Sequence, residues 1–248
     1  IFLILLSSFF FFFALLIIYI STLTIFDFSN FANRKIDNST RIYDRTGKIL
    51  LYDVHSNIKR VQVKGDEISK YVKDATVAIE DRHFYEHRGI RPTSIIRALI
   101  ANLKSGSFVQ GGSTIDQQII KNALLTQDKN IIRKIKEWAM AIKLDAQVPK
   151  DDILTIYLND ASYGGDIYGI ETASQYFFGK HAKDLNLTES AYLSSLPNTP
   201  SYYSPYGNHI TELEDRKNLV LKDMYEENMI TQDEYNKAKS EKVIWKKN

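Results

Sequence analysis

The sequence predicts a mainly helical domain that follows one N-terminal transmembrane helix and a short β segment. Residues 1–26 carry no charge, residues 41–54 alternate around a turn, and the chain from residue 66 onward spaces its apolar residues as helices do. The 248 residues include no Cys, which excludes disulfides, cysteine nucleophiles and thiolate metal sites. With 32 basic and 30 acidic residues the net charge is +2, which gives no argument for nucleic acid as a partner.

The first residues, IFLILLSSFFFFFALLIIYISTLTIF (1–26), predict the transmembrane helix. At about 1.5 Å per residue they span roughly 39 Å, more than the ~30 Å hydrocarbon core of a bilayer. A cleaved signal peptide is the alternative, but its apolar region would be about 7–15 residues long and followed by a small-residue cleavage site. We therefore expect a retained span, preceded by a short missing piece because the chain opens on Ile, and followed by a juxtamembrane linker at 27–40.

Two strands and a series of helices are predicted after the linker. RIYDRTGKILLYDV (41–54) predicts two short strands around an Asp-Arg-Thr-Gly turn. Among the helix signals, Thr231 and Glu234 form a capping box, Thr188 precedes Glu189, and Gly179 closes a helix. The helical patterns cover residues 66–82, 92–104, 113–125, 130–146, 150–158, 168–178, 188–195, 211–228 and 231–240.

The segment VAIEDRHFYEHRGI (77–90) places Glu80 and Asp81 at the end of an apolar helix, among histidines and aromatic residues. Apolar surroundings would raise the pKa of Glu80, as a general acid or base at neutral pH requires. Arg82, His87 and Arg88 would instead keep it ionised, and could bind an anionic substrate. A solvated helix end with surface charges is the alternative.

The segment QGGSTIDQQIIKN (110–122) predicts a flexible loop that opens a helix. Its polar side chains recur four residues apart, so two polar rows run along one side of the helix. Such a helix start suits anions or sugar hydroxyls, although it lacks the GK[ST] ending of a P-loop. A plain loop-to-helix joint is the alternative. The polar residues are Ser113, Thr114, Gln117, Gln118, Lys121 and Asn122.

The segment KNIIRKIKEWAMAIKLDAQ (129–147) predicts a largely buried helix with a charged face. Arg133 and Glu137 are spaced as an i,i+4 pair. A basic pocket for a phosphate group could be formed by Lys129, Arg133, Lys134 and Lys136 together with Lys121. An ordinary charged helix face is the alternative.

The predicted helix at 92–104, before the loop of residues 110–122, carries an apolar stripe at residues 95–103. Such a stripe suits either a core helix or one that dips into the bilayer.

The sequence gives little support for other enzyme classes. Ser56 and Lys59 match S-x-x-K, but no S-D-N or K-T-G follows, and no H-E-x-x-H is present.

Five segments in chain order resemble the signature motifs of bacterial peptidoglycan glycosyltransferases: EDRHFYEHRG, GGSTIDQQIIKN, RKIKE, ILTIYLN and YGIETASQYFFGK. These are the lysozyme-like transglycosylase domains of class A penicillin-binding proteins and of monofunctional transglycosylases. The resemblance covers about residues 41–241, which leaves 242–248 as a C-terminal tail. It implies a lysozyme-like helical fold, and it does not separate a monofunctional enzyme from the front part of a bifunctional one.

The resemblance also implies roles for individual residues. Glu80 would be the catalytic base and Glu137 the second catalytic glutamate. Asp116 and Thr155 depart from the family pattern, and the charge of Asp116 would weaken binding of an anionic substrate. The substrate-binding residues would be Asp81, Phe84, His87, Ser113, Thr114, Gln117, Gln118, Lys121, Asn122, Lys129, Arg133 and Lys134. Mainly structural roles would fall to Tyr157, Asn159, Gly169, Ala173 and Phe177.

The implied reaction polymerises lipid II into β-1,4-linked glycan strands, with inversion and release of undecaprenyl pyrophosphate. A divalent cation, Mg²⁺ or Mn²⁺, is compatible with it, no metal-binding residue is assigned, and no organic cofactor is implied. The implied partners are lipid II, the growing lipid-linked strand, the bilayer and other cell-wall synthesis proteins. The implied location is the plasma membrane, with the catalytic domain on the extracytoplasmic face, and moenomycin would inhibit.

Two alternatives remain at this point. A lysozyme-like hydrolase or lytic transglycosylase would also use a glutamate in a helical domain, but the basic groove and the anchor would be unexplained. A noncatalytic peptidoglycan-binding module would not require Glu80 and Glu137 together.

Overall fold

The computed structural model describes residues 40–43, 50–54, 59–94, 112–124 and 131–246, together with the single positions 7 and 97. The predicted transmembrane helix and linker lie almost entirely outside these residues, as do the apolar stripe at 95–103 and Lys129. Among the residues described, no helix is both long and apolar enough to cross a bilayer.

The described part of the chain is mainly helical with short strands, as the sequence predicts. The strands are β1 (Thr40–Tyr43), β2 (Leu50–Val54), β3 (Lys59–Arg60), β4 (Ser162–Gly164) and β5 (Ile167–Tyr168). The helices are α1 (Lys70–Glu80), α2 (Ile115–Leu124), α3 (Ile131–Gln147), α4 (Lys150–Asp160), α5 (Ile170–Phe177), α6 (Leu187–Ser195), α7 (Ile210–Glu226) and α8 (Gln232–Ser240). Short 3-10 turns occupy Gly65–Glu67 and Ala182–Asp184.

Most predicted elements are confirmed. β1 and β2 pair antiparallel at the predicted β segment, although β1 begins one residue earlier, at Thr40. Every helix from α2 onward begins and ends within about two residues of its pattern. The capping box of Thr231 and Glu234 forms as predicted. The start of α6 at Thr188 is wrong by one residue, because Asn186 is the cap and its side chain accepts from the Glu189 N–H at 2.9 Å.

The predicted helix at 66–82 also begins later than its pattern. Its first turn is the 3-10 turn Gly65–Glu67, and α1 starts only at Lys70. Ser69 precedes α1 but does not cap it, since its hydroxyl donates to the carbonyl of Leu185 at 2.9 Å. That bond, formed over a long sequence separation, fixes the entry into α1.

The chain divides into two compact units. We call the described residues between Arg88 and Pro149 the central unit, after their place in the sequence. The described residues in Asn33–His87 and Lys150–Asn248 form the flanking unit.

The core of the flanking unit lies where α1, α6 and α7 pack together. Small residues of α1 and α6, Ala75, Ala78 and Ala191, are buried there and let the helix backbones approach closely. Larger side chains such as Leu221 and Met224 of α7 fill the remaining space. The consequence is that α1 is held on its apolar face by two other helices.

A small second sheet in the flanking unit was not predicted. β3 pairs parallel to β5, and β4 pairs antiparallel to β5. Asn159 supports this region, because its side chain accepts from the N–H of Val63 at 3.0 Å and donates to the carbonyl of Val63 at 2.9 Å. Gly169 has φ of 82°, and a Cβ there would lie 2.9 Å from the carbonyl oxygen of Asn159, so only glycine fits. These observations agree with the structural roles predicted for Asn159 and Gly169.

The central unit is built on the packing of α2 against α3. Ile115, Ile119 and Ile120 of α2 are buried, as are Ala141 and Leu144 of α3.

Candidate active site

Glu80 is the last residue of α1, and it lies half-buried at the end of the helix whose apolar face forms the core. The α1 backbone is fixed there, since Thr76 is buried and its hydroxyl lies 3.2 Å from that of Ser194 on α6. The C-terminal end of a helix carries a partial negative charge, so a carboxylate gains no stabilisation from the helix dipole at this position. A helix end fixed by the core therefore presents the Glu80 carboxylate.

The negative charge of Glu80 affects the pKa values of two buried phenols. Tyr157 on α4 and Tyr163 on β4 are fully buried, and burial raises the pKa of each phenol well above its ordinary value. The negative charge of Glu80 raises both pKa values further. Both phenols are therefore neutral at physiological pH. Tyr163 was not among the sequence-predicted site residues.

The turn after Glu80 is held together by its own side chains. His87 Nε2 lies 2.8 Å from a carboxylate oxygen of Asp81, and both side chains are almost fully buried. Phe84 has no exposed surface, and its ring packs edge-on against His87 at 6.2 Å between centroids. The ammonium of Lys150 lies 4.4 Å from the centre of the Phe84 ring, a cation–π contact. Asp81, Phe84 and His87 thus form one packed turn that follows the proposed base.

Arg82 connects this turn to α7. Its guanidinium pairs with Asp223 at 3.4 Å and with Glu227 at 3.6 Å. Burial raises the pKa of Asp223, and the charge of Arg82 partly offsets that effect. The sequence suggested that Arg82 could bind an anionic substrate, whereas in the structure its charge is directed at these two carboxylates.

In the central unit, Thr114 and Gln117 form the start of α2. Gln117 N–H donates to the Thr114 hydroxyl at 3.2 Å, and the Thr114 N–H donates to the Gln117 side chain at 3.0 Å. This reciprocal pair is a capping box with glutamine in the third position. The Thr114 hydroxyl also donates to the carbonyl of Gly89 at 2.7 Å.

Gly89 is required where the first motif meets α3. Its φ is 79°, and a Cβ would lie 2.3 Å from the backbone oxygen of Ala141. Any side chain at position 89 would therefore push the backbone of this segment away from α3.

Glu137 is the centre of a second cluster, on α3. It is 1 % exposed, and its carboxylate accepts from the Gln117 side chain at 3.0 Å, from Arg133 at 3.3 Å and from Lys134. Lys134 also donates to the Ser113 hydroxyl at 3.1 Å. The buried carboxylate thus fixes two cations at the surface of the central unit and joins α2 to α3.

The remaining predicted residues of α2 differ in exposure. Lys121 and Asn122 are exposed, and Gln118 is half-buried. Thr114 and Gln117 are buried and engaged in internal hydrogen bonds, so their contact with substrate stays a prediction. Asp116 is also fully buried, in the first turn of α2, where the helix dipole favours a carboxylate.

The residues around Glu80 and Glu137 lie in a segment that matches a known protein family. The family model described as Transglycosylase matches residues 47–225, which include both glutamates and both clusters. The chain belongs to the transglycosylase family. It is therefore an enzyme, a peptidoglycan glycosyltransferase, and the resemblance read from the five motifs is confirmed.

Curated relatives of this transglycosylase domain are penicillin-binding proteins. It is 43% identical over 209 residues to penicillin-binding protein 1A of Aquifex aeolicus, covering 84% of this chain and 28% of that one. It is 41% identical over 206 residues to penicillin-binding protein 1A/1B of Bacillus subtilis, covering 83% and 22%. The chain thus spans between a fifth and a third of the length of these relatives.

A solved structure agrees with the fold. The crystal structure of penicillin-binding protein 1A from Haemophilus influenzae matches with a TM-score of 0.50 and 24% identity, over 86% of this chain and 22% of that chain. At this identity the likeness shows the fold alone.

Proposed function

We propose that this transglycosylase domain polymerises lipid II into β-1,4-linked glycan strands and releases undecaprenyl pyrophosphate, with inversion at the anomeric carbon and Glu80 as the general base. The observation that carries the proposal is the placement of Glu80, in the first motif, at the end of a helix fixed by the core. A general base must be held in position, and its proton affinity must suit neutral pH.

The proposed reaction is a single displacement. The Glu80 carboxylate takes the proton from the 4-hydroxyl of the acceptor sugar, and that oxygen forms a bond to the anomeric carbon of the donor. The bond between this carbon and the pyrophosphate oxygen breaks, and its electron pair leaves with the lipid pyrophosphate. Because the nucleophile enters opposite the leaving group, an α-linked donor gives a β-linked product.

The leaving group would be stabilised by cations of the central unit. Glu137 holds Arg133 and Lys134 in place, and Lys121 is exposed on α2. Lys129 would add a further cation and lies outside the described residues. Cations fixed before the reaction stabilise charge that develops in the transition state, which is worth more than the same contacts in water.

A divalent cation, Mg²⁺ or Mn²⁺, is proposed only as an additional counterion of the pyrophosphate. Glu137 does not suit a metal, because its carboxylate already accepts from Gln117, Arg133 and Lys134. When bound, the cation would neutralise part of the leaving-group charge. Chelation with EDTA in the assay below measures whether it is needed.

The membrane location is likewise proposed. Lipid II is an amphiphile held in a bilayer, and the uncharged segment at 1–26 would keep the enzyme at the same surface, with this domain on the extracytoplasmic face. Other cell-wall synthesis proteins are proposed as partners there.

The test gives purified protein, in detergent, either lipid II with Mg²⁺ or finished peptidoglycan that carries no lipid. We expect long glycan chains and free undecaprenyl pyrophosphate from the first, and no soluble product from the second. A hydrolase must protonate a poor leaving group, so cations near its glutamate would oppose its action. Release of soluble muropeptides from finished wall, without polymer from lipid II, would overturn the proposal. Inhibition by moenomycin is a further expected result.

A further inference from the structure

The flanking unit contains a cavity of about 440 Å³ at the turn between β4 and β5. This volume is in the range of sites that hold small ligands or peptide side chains. None of the described residues assigned to substrate above lines the cavity. Tyr176 and Phe177, which do line it, belong to the fifth motif, to which a mainly structural role was assigned.

One wall of the cavity is aromatic. The rings of Tyr176 and Phe177 lie edge to face at 5.0 Å, and Phe177 and Tyr206 are stacked at 6.0 Å with 21° between their planes. Tyr206 is held in place because its hydroxyl donates to the carbonyl of Lys246 at 2.7 Å. The faces of such rings carry partial negative charge, so they attract cations and pack against alkyl chains.

Among the described residues that line the cavity, Asp166 is the only charged one. Asp166 is exposed in the turn that forms its rim, and no Lys, Arg or His is among the described residues that line the cavity. Within the described part of the chain, Asp166 takes part in no ion pair. A phosphate or carboxylate would be repelled here, whereas an ammonium would meet both a carboxylate and aromatic faces.

The cavity also has a link to the proposed base. Tyr163 lines the cavity, and the charge of Glu80 raises the pKa of its phenol. The strand β4 therefore contributes to the surroundings of Glu80 and to the cavity. Tyr163 thus lies at the cavity and within reach of the charge of Glu80, the proposed base that acts on the acceptor hydroxyl.

We propose that the cavity binds an amino-acid side chain with a terminal primary ammonium, on the peptide that the acceptor sugar carries, with its alkyl stem against the aromatic wall and its ammonium toward Asp166. This inference rests on the proposed function for its link to the acceptor. The selectivity for an ammonium rests on the cavity alone.

The first experiment measures binding without catalysis. The full chain in detergent is titrated with the peptide acetyl-Ala-Lys-Ala-amide and with the same peptide acetylated on the lysine side chain. We expect acetylation to weaken binding by about five- to tenfold, the range of a partly exposed charge contact combined with a cation–π contact. Asp166→Asn should weaken binding of the free-amine peptide by about two- to fivefold and reduce the difference between the two peptides, because only the cation–π contact then distinguishes them. The exposed control Asp184→Asn should change neither. Tyr206→Leu should weaken binding of both peptides, since the alkyl stem loses its ring, and a melting curve verifies its fold.

The second experiment connects the cavity to catalysis. Lipid II with a lysine in its peptide is compared with the same substrate acetylated on that lysine. We expect acetylation or Asp166→Asn to raise KM about fivefold while polymer still forms. Equal KM values and equal peptide binding would overturn the cavity proposal while the glycosyltransferase assignment stands. Discrimination between the peptides, with no polymer from either lipid II, would overturn the link to an acceptor and the proposed function instead.

Discussion

Gln117 and Glu137, twenty residues apart in the sequence, are joined by a buried hydrogen bond of 3.0 Å between α2 and α3. The same carboxylate accepts from Arg133 and Lys134, so the second and third motifs share one anion. The structure therefore explains why a glutamate is placed one helical turn after a basic pair. Its charge fixes the two cations that we assign to the pyrophosphate.

Glu137→Gln tests this role. Glutamine keeps the size of the side chain but removes the charge, so Arg133 and Lys134 lose a charge-assisted partner worth about 1.5–3 kcal/mol. We expect the free energy of unfolding to fall by roughly 1–3 kcal/mol, and the rate of polymer formation to fall about tenfold or more. Urea unfolding and a lipid II assay measure the two effects.

The control for Glu137→Gln is Glu226→Gln. Glu226 also has a basic partner four residues away, Lys222 at 3.5 Å, but that pair is exposed. Exposed pairs contribute about 0–1 kcal/mol, so this variant should resemble the wild type. Equal losses in the two variants would show that the burial of Glu137 carries no special function.

Lys121→Ala tests the assignment of α2 to the pyrophosphate. Lys121 is exposed, and among the described residues it forms no ion pair, so its loss should leave the unfolding transition unchanged. A lost charge-assisted contact of about 1.5–3 kcal/mol would lower kcat/KM for lipid II roughly ten- to hundredfold. The control is Lys183→Ala, an exposed lysine in the 3-10 turn of the flanking unit. Matching kinetics in the two variants would remove Lys121 from the substrate site.

Most of the helices can be predicted from the sequence because their signals are local. Apolar spacing and caps such as Thr231 with Glu234 depend on near neighbours, so the helices from α2 onward lie where the pattern predicts them. The sheet of β3, β4 and β5 was missed because strands of two or three residues have too little alternation to detect. Its pairing also joins Lys59 to Ile167, which no local signal could indicate.

The candidate site residues were named by motif, and helical spacing alone could not show which of their side chains are buried. Helical spacing placed Gln117 and Lys121 in one row, but it could not show that Gln117 turns into the packing of α2 on α3 while Lys121 stays exposed. Tyr163 was missed because a lone tyrosine near two glycines carries no spacing signal. Its significance depends on burial and on the nearby charge of Glu80.

Asp223 gives the domain a pH dependence. Burial raises its pKa above the ordinary value of 3.8, so the folded state binds this proton more tightly than the unfolded state does. Stability from this group is therefore present at pH below 3.8 and is lost as pH rises through the raised pKa. Asp223→Asn removes the titration, so the variant should gain stability relative to the wild type as pH rises from about 3 to about 6.

Urea unfolding across that pH range measures the effect, and Asp215→Asn is the control, since Asp215 is exposed on the same helix. A constant difference between Asp223→Asn and the wild type at every pH would contradict the raised pKa. A relative loss of stability with rising pH would show that the pair with Arg82 outweighs burial.

The most direct measurement of the central claim is the rate of lipid II polymerisation by Glu80→Gln. The amide keeps the size of the side chain but cannot accept the proton of the acceptor hydroxyl, and a general base contributes about a hundredfold or more to a rate. The matched control is Glu86→Gln in the same turn, since the Glu86 side chain is 73% exposed. We expect Glu80→Gln to melt like the wild type and to form less than about one hundredth of its polymer per unit time, while Glu86→Gln stays close to the wild-type rate. A well-folded Glu80→Gln that retains more than a few per cent of the wild-type rate, roughly the lower limit for loss of a base, would show that Glu80 is not the base.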